Sequence, residues 1–87
     1  MTHPELRGLT ARKFVRALEQ DGFDCRRING SHHIYAHRDG RIVTVAFHAS
    51  GDTFPPGTLR AMLRGTEWNA RDLVRLGLLR SSNEARL

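Results

Sequence analysis

Residues 24–48 read DCRRINGSHHIYAHRDGRIVTVAFH, and this stretch decides the fold. The turn dipeptides Asn29-Gly30 and Asp39-Gly40 divide it into three segments with the alternation of strands. Both dipeptides favour two-residue hairpins because their residues tolerate a positive φ angle. The stretch therefore predicts an antiparallel meander of three strands, over residues 24–29, 32–37 and 42–48.

Strand periodicity sorts the side chains of this meander into two faces. In the second strand, His32 and Ile34 share one face, while His33, Tyr35 and His37 share the other. The third strand alternates in the same way, with Val43, Val45 and Phe47 opposite Ile42, Thr44 and Ala46. Because both faces hold apolar residues, periodicity leaves open which one is the core. A three-stranded sheet needs only one covered face, so the other remains open to a partner.

Helix signals flank the meander on both sides. Thr10 is the predicted N-cap of a helix over residues 11–21. Gly22 ends this helix, and Phe23 is expected to fold back on Leu18. After the strands, Pro55-Pro56 opens a second helix that Gly65 closes.

A short third helix is predicted from Ala70 to Leu76. Asn69 and Asp72 resemble a capping box at its start, and Gly77 supplies its stop. The expected fold class is therefore α+β, in the order αβββα with a short extra C-terminal helix and the helices on one sheet face.

The length of 87 residues predicts a single domain over residues 1–87, with a core at about 10–76 and a frayed tail at about 80–87. No apolar run approaches the roughly 18 residues that a membrane span needs. Residues 1–5 lack the pattern of a secretory signal, so a cytoplasmic protein without membrane partners is expected. The lone Cys25 has no partner for a disulfide and is interpreted as a small strand residue.

Charge indicates a polyanionic partner. Fourteen Lys and Arg residues oppose nine Asp and Glu residues, which gives a net charge of +5, and thirteen of the fourteen are arginine. The arginine fork pairs two phosphate oxygens at once. Around the histidine pair, the residues predicted to contact phosphates are Arg26, Arg27, Arg38 and Arg41. The alternative is a solvated surface that keeps the protein soluble.

Several short runs carry a family resemblance. They are Gly30-Ser31-His32-His33-Ile34-Tyr35, His37, Asp39-Gly40, Val43-Thr44-Val45 and Gly57-Thr58-Leu59-Arg60. In this order, over residues 10–76, the chain resembles the HicA toxins of bacterial toxin–antitoxin pairs. The resemblance implies a fold like a double-stranded-RNA-binding domain, ribosome-independent cleavage of mRNA, and a HicB antitoxin as partner. It also implies that His32 is the catalytic histidine, with Gly30 preceding it.

The residues themselves agree with this chemistry. An imidazole titrates near 6.5, so His32 is able to exchange protons with a ribose 2′-OH or a leaving 5′ oxygen without a metal or cofactor. Ser31 is expected to support the turn and His33 to hydrogen-bond beside it, while His37 and His48 are interpreted as surface or RNA-contacting residues. Zinc ligation by the clustered histidines is disfavoured because adjacent strand residues point in opposite directions.

Two functional classes therefore remain open. The first is a histidine-dependent endoribonuclease that an antitoxin holds silent. The second is an RNA-binding module of the same fold whose histidines only contact the RNA backbone.

Overall fold

The computed structural model describes residues 6–80. Its elements are α1 (Ala11–Gln20), β1 (Asp24–Asn29), β2 (His32–Ala36), β3 (Ile42–Ala46), α2 (Pro56–Thr66) and α3 (Ala70–Arg75). The strands form one antiparallel sheet in the order β1-β2-β3. This confirms the predicted α+β class and the αβββα order with its short third helix, although β3 ends two residues before the predicted boundary. None of the helices between residues 6 and 80 is long and apolar enough to cross a membrane.

Helix α1 begins and ends where its local signals predicted. The Thr10 hydroxyl accepts a hydrogen bond from the Lys13 backbone N–H at 3.3 Å. At the other end, Gly22 has a φ of 100° and the Phe23 N–H donates to the Leu18 carbonyl at 2.9 Å. This pattern satisfies the last carbonyls of the helix and buries Phe23 against the core.

The first hairpin turn lies one residue beyond the Asn29-Gly30 dipeptide, between the strand ends predicted at residues 29 and 32. Asn29 pairs with His32, so the two-residue loop is Gly30-Ser31 and Asn29 belongs to β1. Gly30 has a φ of 64°, and Ser31 is not in the positive-φ region. One positive φ at the first loop position is typical of a type II′ turn, which needs glycine there and tolerates serine next.

The second hairpin has a three-residue loop and not the predicted two-residue loop. The His37 N–H donates to the Arg41 carbonyl at 2.9 Å, and the Gly40 N–H donates back to the His37 carbonyl at 2.9 Å. Gly40 has a φ of 104°. A turn followed by a left-handed glycine is the common way to close a loop of this length.

Packing decides which sheet face is the core. Tyr35, Val43 and Val45 are buried, so their face is the covered face. The opposite face, which carries His32 and Ile34, is the open face. Periodicity alone could not make this choice, because the burial of one face depends on helices from distant parts of the chain.

The core joins helices, strands and the chain before α1. The Phe14 ring of α1 lies 6.2 Å from the Phe54 ring and 5.7 Å from the Trp68 ring, measured between centroids. Leu6 and Leu9, which precede the predicted domain core, are also buried. The core therefore begins earlier in the chain than the sequence predicted. The predicted tail lies outside the described residues apart from Arg80.

Helix α2 continues past the glycine that was expected to end it. Gly65 lies inside the helix, where an added Cβ would be 3.0 Å from the Ile42 carbonyl oxygen and 3.3 Å from a Val43 methyl group. The helix instead ends at Glu67, which has a φ of 58°. The prediction of a stop at Gly65 was wrong because this glycine permits close helix–sheet approach.

Candidate active site on the open face of the sheet

His32 is the first residue of β2 and its side chain is exposed. It pairs with Asn29 of β1 on one side and with Ala46 of β3 on the other. Its backbone is therefore held in a central strand while its imidazole lies on the open face. The adjacent His33 belongs to the covered face.

The Gly30-Ser31 turn lies directly before this histidine. An added Cβ on Gly30 would meet nothing within 4 Å, so the surroundings of the turn are open. The Ser31 carbonyl accepts the Phe47 N–H at 3.0 Å, which continues the β2–β3 ladder beyond Ala46. Ser31 therefore supports the turn through its backbone.

His33 ties this turn to β3 from the covered side. Its Nδ1 lies 3.0 Å from the Ser31 carbonyl oxygen and 3.3 Å from the Val45 carbonyl oxygen. Because carbonyls only accept, Nδ1 carries a hydrogen in this arrangement. The ring also stacks on Phe47, with centroids 4.0 Å apart and planes inclined by 10°. These contacts fit the supporting role that the sequence predicted for His33.

His37 is not the surface residue that the sequence predicted. Its Nε2 lies 2.8 Å from the Asp21 carbonyl oxygen, and its Nδ1 accepts the Asp39 N–H at 3.1 Å. The ring also meets the Phe23 ring edge-on, with centroids 5.1 Å apart. An added Cβ on Gly22 would be only 2.9 Å from Nε2. Both ring nitrogens hold the fold together, which leaves neither for RNA.

Arg41 is likewise a structural residue and not a free phosphate ligand. Its guanidinium pairs with Asp39 at 2.8 Å and with Asp21 at 3.0 Å, and it donates to the Thr66 carbonyl at 2.7 Å. It also lies 4.8 Å above the Phe23 ring. Hydrogen bonding to Asp39 raises the pKa of Arg41 more than its burial lowers it. Sequence reasoning missed these contacts because Asp21 lies 20 positions earlier in the chain, and they make Arg41 less available to a phosphate than predicted.

Asp21 joins four parts of the molecule at this point. Its carboxylate accepts the Trp68 indole N–H at 2.9 Å, Arg41 at 3.0 Å and Arg75 at 2.7 Å. Burial by itself raises the pKa of Asp21, but the hydrogen bonds from Trp68, Arg75 and Arg41 bring it below its usual value. This carboxylate therefore connects the end of α1 to the second hairpin, the α2–α3 connection and α3.

Arg26, Arg27 and Arg38 remain exposed, as the sequence predicted. The β1–β2 register shifts between Cys25 and Arg27, which makes Arg26 the extra residue of a bulge. Arg27 pairs with Ile34 and so shares the open face with His32. Within residues 6–80, these three arginines form no ion pair. Phosphate contact by them is untested and stays a prediction.

His48 follows β3 and is exposed. Asp52 holds the chain there: its carboxylate accepts the His48 N–H at 2.9 Å and the Ala49 N–H at 3.0 Å. These bonds, from Ala49 first and then His48, lower the pKa of Asp52, with a further contribution from the charge of the His48 ring. Sequence reasoning missed these bonds from Asp52. The signal was an aspartate shortly after a strand, where its side chain often bonds nearby backbone.

The site has no metal cluster among the residues that the structure describes. In that range, no three His, Cys, Asp or Glu side chains come together in a group that would hold an ion.

One known protein family matches most of the chain. The family described as HicA toxin of bacterial toxin–antitoxin matches residues 11–68, from the start of α1 to Trp68. The chain belongs to the HicA toxin family. As a HicA toxin, it is the toxin of a bacterial toxin–antitoxin system and has an antitoxin partner. The matched span contains His32, the Gly30-Ser31 turn before it, both hairpins, and Asp52 with its bonds to the N–H groups of His48 and Ala49. Among curated proteins, none matches the chain.

Proposed function

We propose that this toxin is a metal-independent endoribonuclease that cleaves mRNA with His32. The observation that carries the proposal is the register of β2, which holds the His32 backbone between two strands and leaves its imidazole exposed on the open face. A positioned general base of this kind contributes about 10²–10⁴-fold to a rate. That range suits a toxin that slowly depletes messages.

The open face offers a phosphate ligand beside this imidazole. Asn29 lies opposite His32, and Arg27 lies two residues earlier on the same strand, so Arg27 is a diagonal neighbour of His32. Diagonal cross-strand neighbours are about 7–8 Å apart, within reach of an arginine side chain. The Arg27 guanidinium would then contact the phosphate that the 2′ oxygen attacks. His32 would take the proton from that 2′-OH group. Arg26 and Arg38 would contact flanking phosphates.

The antitoxin is proposed to be a HicB-like protein that covers this open face. The helices already occupy the other face, and His32 and Arg27 lie together on the open one. A partner with an acidic or RNA-like surface would block the histidine and neutralise the arginine at once.

The products of RNA cleavage test the proposal. The purified toxin is incubated with an mRNA in the presence of EDTA, and the fragment ends are mapped. Attack by the 2′ oxygen predicts a 2′,3′-cyclic phosphate and a 5′-hydroxyl, with activity unchanged by EDTA. Loss of activity on chelation, or 5′-phosphate ends, would contradict the proposed chemistry. RNA binding without any cleavage would instead favour the non-catalytic RNA-binding module.

A further inference from the structure

We propose that His48 is a second catalytic residue, the general acid that protonates the leaving 5′ oxygen while His32 takes the proton of the 2′-OH. This inference rests on the proposed ribonuclease function and adds a second residue to its site.

The β2–β3 ladder extends to the residue directly before His48. Ala46 pairs with His32, and the next residue, Phe47, continues the ladder through its 3.0 Å hydrogen bond to Ser31. Phe47 stacks on His33, so it lies on the covered face. His48 follows Phe47 as the first residue of an exposed bend, and we infer that alternation between faces continues by this one residue, which would put its imidazole on the open face.

The spacing of the two histidines suits a phosphodiester. Relative to His32, His48 is two residues beyond the directly paired Ala46; diagonal neighbours within a ladder are about 7–8 Å apart, and we infer a similar separation for this pair. In an in-line displacement, the attacking and leaving oxygens are on opposite sides of the phosphorus. Two imidazoles at this separation are able to flank one phosphate. Arg27, on the far side of His32, would pair with the negative charge of that phosphate.

His48 is also held in place more firmly than an ordinary loop residue. The Asp52 carboxylate binds the backbone N–H groups of His48 and Ala49. The same turn is fixed to α1, because the carbonyls of Ser50 and Asp52 accept the Arg12 and Ala11 N–H groups at 2.9 and 2.8 Å.

The proposed step balances in protons and bonds. The 2′-OH proton passes to the neutral His32 imidazole as the bond between the 2′ oxygen and phosphorus forms. The bond between phosphorus and the 5′ oxygen breaks, and that oxygen receives the proton of the His48 imidazolium. The products are a 2′,3′-cyclic phosphate and a 5′-hydroxyl, with His32 protonated and His48 neutral.

A substrate whose leaving group needs no proton separates the two roles. Once a cleavage site has been mapped, two oligoribonucleotides of that sequence are made, one natural and one with sulfur in place of the scissile 5′ oxygen. With the natural substrate, His48→Gln is expected to slow single-turnover cleavage by about 10²-fold or more. With the sulfur substrate, the same variant is expected to regain nearly the wild-type rate, because a thiolate leaves without protonation. His32→Ala is expected to slow cleavage of both substrates.

The controls make each outcome decisive. Thr53→Ala, an exposed substitution in the same connection, is expected to cleave both substrates at the wild-type rate, and thermal unfolding verifies that every variant is folded. Equal slowing of both substrates by His48→Gln, or no slowing, would overturn the role of His48 while the ribonuclease function stands. Absence of cleavage by the wild-type toxin would overturn the proposed function itself, and this inference with it.

Discussion

At the scale of single residues, the surroundings of each imidazole separate the histidines by role. His33 and His37 are bonded to backbone groups, and His37 uses both ring nitrogens. His32 and His48 are exposed. Since a ring that exchanges protons with RNA needs a free nitrogen in contact with solvent or substrate, the two exposed histidines are suited to chemistry and His37 is suited to stability.

Substitution of His32 and His37 is expected to have opposite consequences. His32→Ala should abolish RNA cleavage and toxicity while it changes the free energy of unfolding by about 1 kcal/mol or less, because the side chain is exposed. His37→Ala should destabilise the protein by about 1–3 kcal/mol, because it removes the hydrogen bonds to the Asp21 carbonyl and the Asp39 N–H, and the folded fraction should still cleave RNA. Cleavage assays and urea unfolding of both variants measure these effects. Full activity of a folded His32→Ala protein would assign the chemistry to another residue.

The turn glycine before His32 provides a second prediction at this scale. Gly30→Ala should destabilise the protein by about 1–2 kcal/mol, because alanine at a φ of 64° is strained although nothing crowds it. It should also reduce cleavage by displacing His32. Gly51→Ala is the matched control, since Gly51 is equally uncrowded and is not in the positive-φ region. Comparable unfolding curves for the two variants would show that the turn conformation is unimportant.

At the scale of elements, the two hairpins use arginine in different ways. The β1–β2 hairpin presents Arg27 on the open face, whereas the β2–β3 hairpin holds Arg41 between two aspartates. A count of charged residues treats these two arginines alike. Arg27 forms no ion pair within residues 6–80, whereas Arg41 is paired, so Arg27 is the one proposed to contact a phosphate.

The salt dependence of RNA binding should distinguish these two arginines. In a His32→Ala background, log affinity should fall linearly with log salt concentration, and Arg27→Ala should reduce the slope by about 0.7 for single-stranded RNA. Arg41→Ala should leave the slope unchanged and lower the thermal unfolding temperature, because its charge is already paired. Filter-binding titrations at several salt concentrations provide the slopes. A slope near zero for the parent protein would exclude phosphate contacts, and a reduced slope for Arg41→Ala would exclude its structural assignment.

At the scale of the whole molecule, Asp21 connects elements that are far apart in the chain. Its partners Arg41, Trp68 and Arg75 belong to the second hairpin, the α2–α3 connection and α3. The carboxylate side chain is only 10% exposed. Removal of one partner from a buried ion pair typically costs about 3–5 kcal/mol because the remaining charge is unpaired.

Acid should therefore weaken the fold through Asp21. Its folded-state pKa is below its usual value of about 3.9, so its stabilising contribution is present above that pH and is lost as the pH falls through the lower folded value. Asp21→Asn should reduce the free energy of unfolding by about 3 kcal/mol at pH 7 and by less at pH 3. Urea unfolding at pH 7, 5 and 3 measures this. Asp24→Asn, at an exposed position, is the control, and a constant deficit for Asp21→Asn at every pH would contradict the assignment.

The antitoxin complex provides the second prediction at this scale. Hydrogen exchange of the complex should show new protection across residues 26–37, which include much of the exposed edge strand β1 and the first hairpin. The α1 amides should change little, because that helix packs against the covered face. Protection confined to the helices would mean that the antitoxin silences the toxin without covering His32.

The sequence by itself determined the features that depend on neighbouring residues. Thr10 and Gly22 bound α1, Asn69 and Asp72 form the capping box of α3, and the strands lie close to where the alternation put them. These signals can be recognised in the sequence because a helix cap, a positive φ angle or the alternation of a strand involves residues only a few positions apart. The identification of His32 as the candidate catalytic residue came instead from the resemblance to the HicA toxins.

Only the tertiary structure decided which face is open and which charges are free. Both strand faces carry apolar side chains, and the burial of Tyr35, Val43 and Val45 depends on helices that the pattern of the strands does not contain. Arg41 and His37 are bonded to Asp21, which precedes them by 20 and 16 positions. An ion pair at such a separation forms only after the chain has folded, because it needs two elements to be packed side by side. For that reason a count of charges does not distinguish Arg41, which two aspartates hold, from Arg27, which is exposed.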